Sequence, residues 1–371
     1  MVYALAVLIL LGVGLNALSR RYILYNLSYK REISKKVVEI EEEFEVATVV
    51  ENKKFLPVTF LQIVEKFPPA LNYKSKANVL LNKDYILHKS TMLIMPYQRI
   101  KRRYRVFCSR RGRLIFRDVT LTGGDLLGFD TASESMEYYQ DMVVLPRAID
   151  LENAILPYGD YNGDFSVRRW IIEDPVLTAG IREYTGSEPL KTIHWLSSLK
   201  SGRLMVKKFD YTADNTVMVV LNTECSKPFW AGIEGEKIEK CISMARSVIE
   251  QFEEAGIPYG LSSDAYFDGI GGGGSIDAAG FGTAHYYNVL ESLGRLDYNI
   301  RMPFEELLSD LAKDAGSYTT FVIITPSVLE PYIDSINSLG EQAVRVVLIS
   351  LKQENLEHLG KNILTFVERR D

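Results

Sequence analysis

Apolar and polar positions alternate with a period of two through much of the first 150 residues. The run "EEFEVATVVENK" alternates and ends at a turn-like Glu51-Asn52. "PVTFLQIVEKFP" starts and stops at prolines, and "QRIKRRYRVFCSRRGRLIFRDVTLTGG" alternates on both sides of a turn around Gly112. β-Branched and aromatic residues dominate, and no long helical period interrupts them. The pattern from Ser28 to about Arg147 predicts a small antiparallel β-domain, a sandwich or barrel spanning 28–149. The period changes after Tyr211. "NTVMVVLNTE" is a short apolar run of buried-strand type, and a helical stripe follows at Ile238, Ile242, Ala245, Ile249 and Phe252, closed by Gly256. Further strand-like runs then alternate with helical ones to the end. This predicts an α/β domain over 211–371 with a mostly parallel sheet, covered on both faces. Ligands of such sheets sit beyond the carboxyl ends of the strands. That directs attention to Asn222–Ser226, the loop after Leu261, and Thr325-Pro326.

The first residues follow neither pattern. Val2 to Leu18 carries no charge, and Asn16 is its one strongly polar residue. A spanning helix needs about 20 apolar residues, with about 17 near the lower limit. No basic segment precedes the run, as it would in a signal peptide, and no polar face marks it as a core helix. The expectation is a single-pass membrane anchor over residues 1–20 that touches lipid. Arg20, Arg21, Lys30 and Arg31 all follow it, which places the remaining domains on the cytoplasmic side of the cell membrane.

Composition narrows the function classes. The chain has 371 residues, enough for about two domains, and a formal net charge of -5. That charge gives no general attraction to nucleic acid. Basic residues do cluster from Lys101 to Arg117, but alternation places many of them on the solvated face of a hairpin. Cys108, Cys225 and Cys241 are widely spaced and odd in number, against a disulfide framework. The four histidines are scattered without zinc spacing. "DGIGGGGSID" lacks the Lys-Ser/Thr ending of a phosphate loop. Cys225 beside His285 would make a nucleophile pair, yet a cysteine at a strand end is more commonly packed.

Residues 150–210 join the two halves. Here "GIREYTGSEPLKTIHW" concentrates chemical groups. Glu183, Glu188 and His194 are candidate acid-base groups, and Arg182 and Lys191 candidate anion binders. The local pattern reads as turn, helix and strand. Gly186 permits a turn, Ser187 caps and Pro189 opens a helix, and Leu190, Ile193, Leu196 and Leu199 mark its apolar side. Gly202 stops it, and "RLMVKKFDY" alternates as a strand. In this reading Arg182 and Glu183 make buried or half-buried polar contacts, and Trp195 packs, in a joint between domains.

The stretch from Gly180 to Val206 resembles the signature of the family called domain of unknown function 58 (DUF 58). Gly180, Arg182, Glu183, Tyr184, Gly186, Ile193, Trp195, Gly202, Leu204 and Val206 carry the resemblance. Glu188 and His194 stand where the family usually has Asp, and Asp or Asn. Upstream, "RRGRLIF", "GDLLGF" and "VVLPRA" look like further family segments. The resemblance implies a membrane-anchored protein whose β-rich half precedes a von Willebrand factor A-like α/β half. It also implies a MoxR-type AAA+ ATPase and other membrane proteins as partners. Domains of that type that bind metal carry Asp-x-Ser-x-Ser after the first strand, because a hard cation needs several converging oxygens. The corresponding positions here are Asn222, Glu224 and Ser226, with Thr325 on a later loop. These still carry oxygens, but the set is degenerate, so no cofactor is expected beyond weak divalent metal. The expected function is a non-catalytic protein-interaction adaptor. The alternatives are a hydrolase or transferase using a cleft near Glu183, Glu188 and His194, and a metal-dependent ligand-binding A domain.

Overall fold

A computed structural model describes residues 2–75, 77–125, 127–158, 178–184, 193–209, 216–269 and 276–369. They fall into two compact units, Met1–Leu145 and Pro146–Asp371.

The first unit opens with helix α1 (Val2–Arg21). Its strands are β1 (Leu27–Ile33), β2 (Val37–Val38), β3 (Phe44–Asn52), β4 (Val58–Phe67), β5 (Leu71–Tyr73), β6 (Val79–Leu81), β7 (Ile86–Ile94), β8 (Arg99–Cys108), β9 (Gly112–Phe116), β10 (Val119–Gly124), β11 (Thr131–Met136) and β12 (Gln140–Val144). They form sheets ordered β1-β3-β8-β5, β11-β10-β4-β7-β6 and β2-β12-β9. The alternation seen in the sequence is the cause. In β7, and in β4 from Leu61 onward, every second side chain is buried, so one face of each strand meets the opposing sheet. Val50 of the first sheet shares a core with Leu61, Ile63, Ile94 and Leu121 of the second. Gly123 lies where a Cβ would come within 2.4 Å of Ile23, so the chain leaving α1 packs directly on β10.

The final turns of α1 are tied to the loop after β10. Asn16 donates to Asp125 at 2.9 Å and accepts from the Leu127 N–H at 3.1 Å, while Arg20 pairs with Asp130. Among the described residues no helix is long and apolar enough to cross a membrane. The expected single-pass anchor, with the localisation drawn from it, is corrected on that finding.

The second unit contains β13 (Ile155–Pro157), β14 (Thr178–Glu183), β15 (Met205–Phe209), β16 (Val217–Leu221), β17 (Tyr259–Ser263), β18 (Ala265–Phe267), β19 (Ile276–Gly280), β20 (Leu296–Ile300), β21 (Thr320–Thr325), β22 (Arg345–Ser350) and β23 (Ile363–Glu368). Its helices are α2 (Leu151–Ala154), α3 (Trp195–Ser201), α4 (Gly235–Ala255), α5 (Thr283–Arg295), α6 (Phe304–Lys313) and α7 (Glu330–Gln342). Seven strands form a mixed sheet in the order β13-β23-β22-β21-β16-β17-β19. The central strands run parallel, and β13 and β19 border them antiparallel. β16 is buried along its whole length, as a strand covered on both faces must be. α4 buries Ile238, Ile242, Ala245, Ile249 and Phe252 and ends at Gly256, whose φ of 68° suits a residue without a Cβ. Separate antiparallel ladders, β14-β15 and β18-β20, lie outside the sheet.

The fold class expected from sequence is corrected accordingly. Strand makes up 40% of the structure and helix 28%, so the chain is β-dominated, and the expected class of a membrane helix followed by a von Willebrand A-like half is not supported. The physical reason is local. The whole first unit pairs its alternating runs, and segments such as Ala265–Phe267 and Leu296–Ile300, too short to show a period, pair into ladders as well.

Candidate functional site

β16 ends at Leu221, and the chain then turns through Asn222, Thr223 and Glu224, all buried. Asn222 donates from Nδ2 to Thr325 Oγ1 at 2.8 Å, and its Oδ1 accepts from the Glu224 N–H at 2.8 Å. Thr325, at the end of the neighbouring β21, donates onward to the Ser327 carbonyl at 2.7 Å. The parallel pairing of β16 with β21 brings these two loops side by side.

Asp264, just past the end of β17, sits beneath this turn. Its Oδ1 accepts from the Thr223 N–H at 2.8 Å and the Thr223 hydroxyl at 3.0 Å, and its Oδ2 from the Glu224 N–H at 3.2 Å. Burial pushes its carboxyl up to about 7, against the lowering effect of those donors. Glu224 points the other way. Its Oε2 accepts from the Tyr332 hydroxyl at 2.7 Å and the Phe304 N–H at 3.3 Å, and its Oε1 forms an ion pair with Lys227 at 2.8 Å. Lys227 also reaches Glu305 at 2.7 Å and lies 5.4 Å from the centre of the Tyr332 ring. Burial opposes its charge, but the bonds to Glu224 and Glu305 outweigh that and raise its pKa above the ordinary lysine value.

Of the four positions matched to a metal motif, Asn222 and Thr325 therefore bond to each other, and Glu224 is engaged by Lys227 and Tyr332. Ser226 stands apart. Its hydroxyl lies within hydrogen-bonding reach of the carbonyls of Pro228 and Gly232, each at 3.2 Å, and so staples a short loop. That loop carries Phe229, Trp230 and Ile233 to the surface, exposed by 37%, 72% and 59%. The two rings meet edge to face, with centroids 4.9 Å apart. Cys225 is half-buried beside the Thr223 carbonyl, and burial raises its thiol. His285 contacts the Tyr259 carbonyl at 2.7 Å.

Sequence reasoning missed Asp264, Lys227 and Tyr332. Asp264 had a signal, since it follows the strand at Leu261 in the loop already singled out. Lys227 had one too, three residues after Glu224, but Tyr332 had none, because 108 residues separate it from Glu224.

The signature segment is built differently from its expected form. Gly180 and Arg182 lie in β14, opposite Lys208 and Val206 of β15, and the Tyr184 N–H donates to the Leu204 carbonyl at 2.9 Å. Gly186 and Glu188 lie outside the described residues, as does Lys191. His194 caps α3 by accepting from the Ser197 N–H at 3.2 Å, and Gly202 ends that helix at a φ of 67°. The expected burial of Arg182 and Glu183, and the expected packing of Trp195, are corrected. All three are exposed, Trp195 by 63%. α3 rests on β15 through Ser198, whose hydroxyl bonds to the Met205 N–H at 2.8 Å, and beside it Ile193 is buried. Leu196 and Leu199, expected with Ile193 on one apolar side, therefore face outward. Glu183 pairs with Arg203 at 3.2 Å. The Glu183 carboxylate is met by Arg203 and the His194 Nδ1 by the Ser197 N–H, and among the described residues no cluster of three or more His, Cys, Asp or Glu side chains could hold a metal ion.

No known protein family and no curated protein matches the chain. The MoxR partnership and DUF 58 membership implied by the resemblance therefore gain no support. Among solved structures, a cohesin module of a Clostridium perfringens family 33 glycoside hydrolase is 10% identical with a TM-score of 0.24, over 32% of this chain and 95% of that one. A CARDB domain from Pyrococcus furiosus, solved with two metal ions, is 13% identical with a TM-score of 0.21, over 32% and 87%. A non-cellulosomal cohesin from Archaeoglobus fulgidus is 9% identical with a TM-score of 0.23, over 32% and 91%. Likenesses this weak carry no argument about this chain.

Proposed function

We propose that the chain is a non-catalytic protein-binding module and that the loop from Ser226 to Ile233 is its contact element. The observation that carries this reading is the exposed Phe229–Trp230 pair on a loop held at both ends. Large aromatic side chains anchor protein interfaces. Exposed in water they bring no benefit of their own, and a partner's surface would bury them. The loop is also prepared for binding. Ser226 closes it, and Lys227 ties its base to Glu224 and Glu305. A loop already ordered loses less entropy when a partner docks. Its position beyond the carboxyl end of β16 is where sheets with parallel strands commonly present ligand sites. The acidic groups nearby are turned inward onto protein donors, which favours a contact made by the aromatic loop over chemistry at Glu224 or Asp264.

The direct test places a photocrosslinking phenylalanine analogue at position 229 of the full chain in its native cells. A discrete protein adduct is expected, and Ile233→Ser should reduce it at least fivefold. The same analogue at Phe55, an exposed aromatic of the first unit, serves as the background. Equal labelling at Phe55 and Phe229 sinks the proposal.

A further inference from the structure

The ladder of β9 and β12 in the first unit carries a groove of about 350 Å3, lined by Arg113, Ile115, Arg117, Tyr139, Gln140 and Asp141. It is independent of the aromatic loop. Its chemistry follows from the strand register. Ile115 lies opposite Asp141, and Arg113 and Arg117 flank Ile115 two residues to either side, on the same face. The three side chains therefore repeat at about 7 Å along the strand. That is the spacing of alternate side chains in an extended peptide.

Charge selects the peptide. Arg113 is already met by Asp141 at 2.8 Å. Asp118, beside the groove, is met by Lys66 at 2.9 Å, which holds its carboxyl below the usual range. Arg117 is exposed and has no ion-pair partner among the described residues. The groove thus keeps one cation over, next to an apolar floor at Ile115 and a Tyr139 ring that is 61% exposed. β9 is also the edge strand of its sheet. Edge strands and the faces beside them accept added extended segments.

From this we propose that the β9–β12 groove binds an extended acidic peptide segment, with a carboxylate on Arg117 and an apolar or small side chain over Ile115. Asp141 competes with the ligand for Arg113. Two opposed effects follow. Removing the cation weakens binding, and removing the competing carboxylate strengthens it.

The experiment is fluorescence anisotropy with the full chain and a fluorescein-labelled hexapeptide of sequence Glu-Thr-Ala-Thr-Glu-Thr, whose alternate residues place an alanine between two carboxylates on one face. A Thr–Lys hexapeptide and a single-stranded oligonucleotide are run alongside. The expected result is saturable binding of the acidic peptide, weakened at least fivefold by Arg117→Gln and tightened at least twofold by Asp141→Asn. Arg103→Gln, on exposed β8 of another sheet, should leave it unchanged. Both groove residues are on the surface, so the variants are expected to keep the wild-type circular dichroism. The proposal is overturned by absence of saturable binding, by equal weakening from Arg103→Gln, by no gain from Asp141→Asn, or by Arg117-dependent binding of the oligonucleotide in place of the peptide.

Discussion

Glu65 of the first unit and Glu224 of the second are both removed from solvent, yet their cations reach them from opposite directions. Arg31 meets Glu65 from inside. Both side chains are fully buried, at 3.2 Å, and Thr48 and Tyr29 donate to the same carboxylate. The guanidinium donates to the Arg117 carbonyl at 3.0 Å and lies 5.3 to 5.6 Å from the centres of the Phe67, Phe116 and Tyr138 rings. Lys227 meets Glu224 from outside, with 27% of its side chain exposed and the aromatic loop attached. The first cluster is sealed and acts on the core alone. The second connects a buried carboxylate to the surface, so a partner docking on the loop can act on it. Burial of charge marks both places, and only the route to solvent separates a structural cluster from a candidate site.

The largest expected effect tests the seal. Arg31→Ala leaves Glu65 buried without its cation and should cost about 3–5 kcal/mol in urea unfolding. Replacing the pair together, Arg31→Met with Glu65→Leu, should recover most of it. A loss under about 1 kcal/mol would mean that water reaches Glu65, and the contrast would collapse. Glu224→Gln comes next, at about 1–3 kcal/mol, because Lys227 keeps Glu305 and water when Glu224 loses its charge. Amide exchange across residues 226–233 should speed up in that variant. A cost equal to that of Arg31→Ala would show the two clusters to be the same kind of object.

The smallest effect is on pH dependence, and it has opposite signs in the two units. Burial raises Asp264 to about 7, so between about pH 4 and pH 7 the folded chain keeps a proton that the unfolded chain has released. Its contribution to stability is present at low pH and falls as pH rises, by about 1 kcal/mol between pH 6 and 7. His88 behaves in reverse. It is buried, stacks on Phe67 and Tyr73, and contacts the Tyr73 hydroxyl at 2.9 Å. Burial lowers its pKa, with Glu65 opposing and Arg102 assisting. The unfolded chain then takes up the proton first, and stability is lost as pH falls below about 6.5. Melting temperatures from about pH 4 to 8 should show Asp264→Asn removing a fall in stability between about pH 4 and 7, and His88→Phe removing a loss of stability below about pH 6.5. Identical slopes in both variants would refute the assignment.

Much of the architecture was legible where a period repeats. The alternation of Val58–Phe67 and the stripe from Ile238 to Phe252 each specify a buried face by themselves. The candidate site was legible only in its local part. Asn222, Glu224 and Thr325 could be picked out as strand-end polar residues, but their mutual use could not, because the bonds that consume them come from elements far away in the chain. The α3 region shows the limit clearly. Its apolar stripe suggested burial for Leu196 and Leu199, and contact with β15 through Ser198 turned them outward instead. An amphipathic pattern says that one side is apolar. Only the neighbour decides whether that side is covered.

The sequence by itself determined which segments pair or coil, because periodicity and turn residues act within a few positions of each other. Tertiary structure alone decided which charges are sealed and which reach the surface. That outcome depends on Arg31 meeting Glu65 across 34 residues and on Tyr332 meeting Glu224 across 108, and no local pattern encodes contacts at such separations.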